Sequence, residues 1–223
     1  MITEPHKLPQ FLAPLTKLSV HNISKKYGER TVIRNASFTA QSGMVLAITG
    51  KNGSGKSTLL KMLAGVLTPT TGGIQYTVED TIAPDNFCAM CIGFVSPYLA
   101  LYEEFSPLEH IKHCAAMRAS VAPQPDYYNE LLAMMNLWER RNDPIKGFSS
   151  GMKQRVKYAL ALLHQPSVLL LDEPMTNLDS QGITIVENLM AIQQQRQTLI
   201  VIATNDNRDA ALAQATFALD GRM

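Results

Sequence analysis

Eight consecutive residues, Gly50-Lys51-Asn52-Gly53-Ser54-Gly55-Lys56-Ser57, have the types and spacing of a phosphate-binding loop. Glycines let a backbone wrap a polyphosphate with successive N–H groups turned inward, and a helix N-terminus behind the loop adds partial positive charge. In that arrangement Lys56 reaches the β- and γ-phosphates from a solvent-facing site, and the Ser57 hydroxyl ligates magnesium. Thr58, the next residue, joins the nucleotide-binding set. A second pair of reactive groups, Asp172 and Glu173, follows the apolar run Val168-Leu169-Leu170-Leu171. Carboxylates emerging at the C-terminal edge of a buried parallel strand stand where α/β proteins place their chemistry. Asp172 is in position to hold magnesium, and Glu173 to polarise the water that attacks a γ-phosphate. Together the two segments imply magnesium-dependent binding and cleavage of a nucleoside triphosphate.

Positioning these groups requires a strand before the loop and a helix after it. Met44-Val45-Leu46-Ala47-Ile48 reads as that buried strand and Thr58 to Ala64 as the helix. Upstream, Leu18 to Ile23 alternates like a half-buried strand, Thr31 to Thr39 holds another, and Gly72-Gly73 is expected to turn the chain before a strand over Ile74 to Val78. Phe87 to Val95 is a continuous apolar run and reads as a core strand. Ser106-Pro107-Leu108-Glu109 is a capping box with proline at the first helical position, so a helix is expected to about Arg118. Further helices are expected over Tyr127 to Trp138, from near Gly151 to Gln165, and over Ser180 to Gln195. Strands are expected over Ser167 to Leu171 and Thr198 to Ala203, followed by a short helix and strand.

Composition bounds the function. The chain has 223 residues, 46% hydrophobic and 17% charged, with a net charge of +1. That suffices for one sizeable α/β domain and gives no general electrostatic drive toward nucleic acid. No apolar run reaches membrane-spanning length, and the N-terminus has no signal-peptide core, so a membrane role requires a partner. Pro5, Pro9 and Pro14 make residues 1–17 an irregular extension, and the chain is expected to leave no room for a regulatory domain after its last strand. Cys88 and Cys91, with His110, His113 and Cys114 downstream, have a superficial metal-ligand spacing. Cysteines three apart on a strand point to opposite faces, however, so buried free thiols in a reducing compartment are the expectation.

A third segment, Phe148-Ser149-Ser150-Gly151-Met152 followed by Lys153-Gln154-Arg155, opens a helix shortly before the Asp172 strand. Small residues at a helix N-terminus offer hydroxyls and N–H groups to an anion. The segment resembles the signature sequence of ATP-binding-cassette (ABC) ATPases, and its order after the phosphate loop and before Asp172 matches that family from Leu18 onward. The resemblance implies an α/β P-loop NTPase with an ABC-type core, an antiparallel β subdomain and a helical subdomain over about residues 97–147, the cassette spanning 18–223. It implies that Tyr27 stacks on adenine, that Phe148 to Met152 contact the γ-phosphate held by a second subunit, and that Asp179, in Thr176-Asn177-Leu178-Asp179, carries communication between subunits.

The function so implied is that of an ATP-binding and ATP-hydrolysing transporter subunit. Two copies, or one copy and a related chain, close on magnesium and ATP and drive a separate transmembrane permease from the cytoplasmic face of the membrane. The variant FSSGM followed by KQR is similar to bacterial export ATPases more than to importers, so export is favoured. Two positions depart from the family: Pro97 stands where a glutamine is expected, and Asn205 where a histidine touches the γ-phosphate. Asparagine can donate to a phosphate oxygen but cannot shuttle a proton. A regulatory nucleotide-binding module with weak hydrolysis, or a non-transport soluble ABC ATPase, are the alternative readings. Fewer than a hundred residues separate Ser57 from Ser149, with no heptad run, which weakens the last of these.

Overall fold

The computed structural model describes residues 15–117 and 125–219. The first strands are β1 (Leu15–Tyr27) and β2 (Arg30–Gln41), joined at Gly28 with φ +56°. β3 (Val45–Thr49) runs into the loop and α1 (Lys56–Leu63), followed by β4 (Thr71–Val78), β5 (Thr81–Ile82), α2 (Phe87–Cys91) and β6 (Ile92–Val95). Three helices come next, α3 (Pro107–Met117), α4 (Pro125–Met134) and α5 (Ser150–Leu162). The chain then passes through β7 (Val168–Asp172), α6 (Ser180–Gln195), β8 (Leu199–Thr204), α7 (Asn207–Ala210) and β9 (Ala215–Ala218). An antiparallel sheet has the order β2-β1-β4-β5, and a parallel sheet the order β6-β7-β8-β3-β9.

The parallel sheet is covered on both faces, which is why β7 and β8 are apolar without alternation. Leu169, Leu171, Ile200 and Ile202 pack on one side with residues of α3 to α6, among them Ile111, Leu131, Tyr158 and Leu189. Val168, Leu170, Leu199 and Val201 face the other way, onto Leu59, Leu60 and Leu63 of α1 and Leu18 and Ile23 of β1. Two cores therefore clamp the sheet and hold the C-terminal ends of β3 and β7 rigid beneath the loop and the carboxylates.

Four expectations are corrected. Phe87–Cys91 is helical rather than extended, with Phe87 and Cys91, one turn apart, buried and Phe87 stacked on Tyr76 at 4.9 Å. Gly72 and Gly73 lie within β4 instead of preceding it; Gly72 has φ +82°, and a Cβ there would sit 2.5 Å from the carbonyl oxygens of His21 and Asn22. The second helix of the helical segment ends at Met134, because Asn136 at φ +52° breaks the run before Trp138, which opens a short 3-10 turn. The first strand begins at Leu15, so Leu15 to Lys17 are extended and paired with β2 and β4; residues 1–14 and Arg118 lie outside the described residues. The capping box at Ser106 forms as expected, with Glu109 Oε2 accepting from the Ser106 N–H at 2.8 Å and the Glu109 N–H donating to Ser106 Oγ at 3.3 Å.

Candidate functional site

The site begins at the end of β3. Gly50 has φ +152°, and a Cβ there would meet Leu219 O and Ser54 Oγ at 2.7 Å; Gly55 has φ +104° and abuts Val32 and Ile33. Only glycine fits these two positions, so the loop curls tightly and delivers Lys56 as the first residue of α1. α5, α6 and α7 are capped by the side chains of Ser149, Asp179 and Asp206, whereas α1 has no side-chain cap and no acidic residue in its first turn. Its leading N–H groups and dipole are left for an external anion.

Lys56 is not solvent-facing as expected. It is only 6% exposed, its Nζ donates to Gly50 O at 2.9 Å and Lys51 O at 3.4 Å, and it stands 3.9 Å from Glu173 Oε1. The lysine thus braces the loop from within while its charge faces the Glu173 carboxylate.

Asp172 is 1% exposed at the end of β7. Ser57 Oγ donates to its Oδ1 at 3.0 Å, and Ser96 Oγ lies 3.5 Å from its Oδ2. Burial pushes the Asp172 carboxyl up, opposed by those two hydroxyls and by Lys56 and Lys61. A hydroxyl and a buried carboxylate at 3.0 Å are an all-oxygen donor pair that suits magnesium, which would repay the desolvation of the carboxylate. Glu173 follows at φ +49°, its N–H bonded to Ala203 O at 2.8 Å, so the chain turns sharply and aims the side chain back toward Lys56. Burial also raises the Glu173 carboxyl, with Lys56 pulling it down and Asp172 pushing it up. A raised but ionisable carboxylate beside a cation has the character of a general base.

These groups share one open cavity of about 880 Å³, lined by Tyr27, Lys56, Ser57, Asp172, Glu173 and Asn205 among others. Tyr27 is the last residue of β1, half exposed, with Lys25 Nζ 5.3 Å from its ring centroid. Asn205 donates to Asn52 Oδ1 at 2.8 Å. Pro97 lines the same cavity.

Phe148 to Met152 do not join the cavity. Phe148 is buried beneath the Arg140 guanidinium at 4.6 Å, while Ser149 and Ser150 are exposed, Ser149 capping α5 through the Met152 N–H at 3.2 Å. A Cβ on Gly151 would lie 3.0 Å from Asn177 O, so α5 packs directly on the loop that ends at Asp179, whose carboxylate caps α6 through the Gly182 N–H at 2.8 Å. The start of α5 and the loop that ends at Asp179 are therefore packed as one unit, and Phe148 to Met152 lie outside the lining of the cavity that holds the phosphate loop.

Sequence reasoning missed Ser96, which touches Asp172, and Lys157, whose Nζ donates to Ser96 O and Pro97 O at 3.2 and 2.8 Å. The available signal was a lysine inside an apolar helical stretch, Val156-Lys157-Tyr158-Ala159. The cysteine pair lies on α2 with Cys91 buried and Cys88 half-buried, and burial raises the Cys88 thiol.

The family model described as ABC transporter matches residues 33–176. The lantibiotic transport ATP-binding protein SrtF of Streptococcus pyogenes is 31% identical over 84% of this chain and 80% of its own length. The maltose/maltodextrin import ATP-binding protein MalK of Photorhabdus laumondii is 30% identical over 93% of this chain and 57% of its own. This chain spans less than two thirds of several curated relatives it matches, 57% to 64% in length. Among solved structures, the dimeric MJ0796, a bacterial ABC transporter cassette, superposes with a TM-score of 0.79 at 25% identity, over 91% of this chain and 94% of that one.

Proposed function

The chain belongs to the ABC transporter family as an ATP-binding subunit, and on that premise we propose that it binds magnesium and ATP, pairs with a second such subunit, hydrolyses the nucleotide and drives a separate transmembrane permease. The observation that carries this reading is the convergence of Lys56, Ser57, Asp172 and Glu173 on one cavity at the C-terminal edge of the parallel sheet. The loop and the uncapped start of α1 take the phosphates. Ser57 and Asp172 would hold magnesium, which when bound would supply positive charge beside the β- and γ-phosphates. Glu173 orients a water in line with the γ-phosphate and accepts its proton, the Lys56 ammonium 3.9 Å away favouring the carboxylate form against the effect of burial. Tyr27 offers its half-exposed ring to the base.

One cavity supplies no trans contact from Phe148 to Met152, which supports pairing: those residues complete a site only on a second copy or a related chain. No helix among the described residues is long and apolar enough to cross a membrane; the separate permease, with this subunit on its cytoplasmic face, follows in this proposal from the family alone. Export rests on the signature variant alone; the relatives include an import protein. A regulatory module with weak hydrolysis is the second reading, favoured by Pro97 at the cavity wall and by the Asn205–Asn52 contact.

The test is titration of the purified chain and of Lys56→Ala with a fluorescent ATP analogue. Lys56→Ala is expected to lose binding while retaining a cooperative thermal transition somewhat below wild type, since it also gives up two bonds bracing the loop. Binding at wild-type affinity would defeat the assignment.

A further inference from the structure

Lys157 lies on α5, buried at 8% exposure between fully buried Val156 and Tyr158. Burying an ammonium is costly, and this one is retained with two backbone carbonyls as acceptors, Ser96 O at 3.2 Å and Pro97 O at 2.8 Å. Burial pulls its pKa down. The turn it grips sits at the C-terminal end of β6 beside β7. Ser96 is 5% exposed; its hydroxyl accepts from the Tyr98 N–H at 3.4 Å, which leaves its proton to be aimed at Asp172 Oδ2, 3.5 Å away. Asp172 is thus held from both sides, Oδ1 by Ser57 and Oδ2 by Ser96. Pro97, next in the chain, has no N–H and no polar side chain to contribute.

We propose that Lys157 and Ser96 are a pair of positioning residues: Lys157 locks the Ser96–Pro97 turn, and the Ser96 hydroxyl fixes the orientation of the Asp172 carboxylate. The inference rests on the reading of Asp172 as a magnesium-holding group. Its consequence is a direct tie between α5, the helix that begins with the Ser149 cap, and the carboxylate of the chain's own site. A glutamine side chain is unnecessary to that tie. A lysine reaching from the helix to two carbonyls supplies it, although Pro97 itself contributes no donor.

The test measures the magnesium concentration that gives half-maximal response of a bound fluorescent ATP analogue, alongside the analogue's affinity in EDTA. Ser96→Ala and Lys157→Met should each raise the magnesium requirement about ten-fold, the scale of losing a partner that orients a metal ligand. Affinity in EDTA should be unchanged. The double variant should be no worse than either single one, because the two act in series, and Lys157→Arg, which keeps the cation and its donors, should restore most of the loss. An unchanged magnesium requirement in both single variants, or losses that add in the double variant, overturns the pair. Should Lys157→Met fail to fold, Ser96→Ala and Lys157→Arg decide the matter, with a ten-fold loss and near-wild-type behaviour as the supporting results. Failure of the wild-type chain to bind the analogue at all overturns the functional reading and this inference with it; binding without a Ser96 effect overturns the inference alone.

Discussion

Asn205 Nδ2 donates to Asn52 Oδ1 at 2.8 Å, joining the loop after β8 to the phosphate loop across the mouth of the cavity. On the proposed reading, the amide that would meet a γ-phosphate is thereby engaged by a residue of the loop that would cradle the same phosphate. If Asn205 meets the γ-phosphate, ATP binding exchanges this contact for one to the nucleotide, and a neutral amide makes that exchange without changing charge.

Asn205→His should therefore raise turnover, or at least leave it undiminished, because imidazole can donate to the phosphate and exchange a proton near neutral pH. Steady-state ATPase assays on both forms, with a membrane partner present, measure it. Brisk wild-type turnover that is lost in Asn205→His would show instead that asparagine is the adapted residue at this site.

Tyr158 is fully buried on α5 and its hydroxyl donates to Pro174 O at 2.9 Å, directly after the Asp172-Glu173 pair. Tyr158→Phe leaves that carbonyl without its donor and should cost about 1–2 kcal/mol of stability. Denaturant unfolding gives the value, and the same variant should lower turnover more than ATP affinity, because the turn that aims Glu173 loses its anchor. A variant as stable as wild type would show that the bond contributes nothing net.

His110 is buried with both ring nitrogens engaged, Nε2 accepting from the Tyr102 N–H and Nδ1 paired with Ser106 O, each at 3.0 Å. Burial lowers its pKa, against the Ser106 carbonyl and Glu109, which raise it, and with His113, which lowers it further. A histidine whose folded pKa is depressed stabilises the fold above its unfolded pKa, and that stability is lost as pH falls through the window toward the folded pKa. Wild-type stability should accordingly fall below about pH 6.5, the ordinary histidine value, with a slope of at most about 1.4 kcal/mol per pH unit. His110→Gln should lack that component. Parallel slopes for the two proteins between neutral and mildly acidic pH would contradict the assignment.

The groups that were legible in the sequence are those whose chemistry is written in contiguous residues. The loop from Gly50 to Ser57 works through its own glycines and the helix it starts, and Asp172 and Glu173 through the strand that ends at them. The capping box at Ser106 is likewise local, and the helix began where it said. The Phe87–Cys91 segment misled because five apolar residues fit either period; only its burial, Phe87 and Cys91 on one face, reveals the helix. Gly72 misled because its positive φ serves a close approach to β1 inside a strand, not a turn. Lys56 turned inward for a reason no local pattern carries, the carbonyls of Gly50 and Lys51 folding back over it. The Lys157–Ser96 and Asn205–Asn52 contacts join residues 61 and 153 positions apart, and side-chain pairs at that separation exist only once the sheet order is set.

The most direct test of the central claim is the behaviour of Glu173→Gln with magnesium and ATP. The amide keeps the shape of the side chain and leaves Asp172 and Ser57, the proposed magnesium-holding pair, untouched, but removes the proposed proton acceptor. Hydrolysis should fall roughly a hundred- to ten-thousand-fold, ATP should remain bound, and light scattering should show a dimer with ATP that is absent without it. Hydrolysis at the wild-type rate would contradict the role of Glu173, and a monomer with ATP fully bound would contradict closure of paired subunits on the nucleotide.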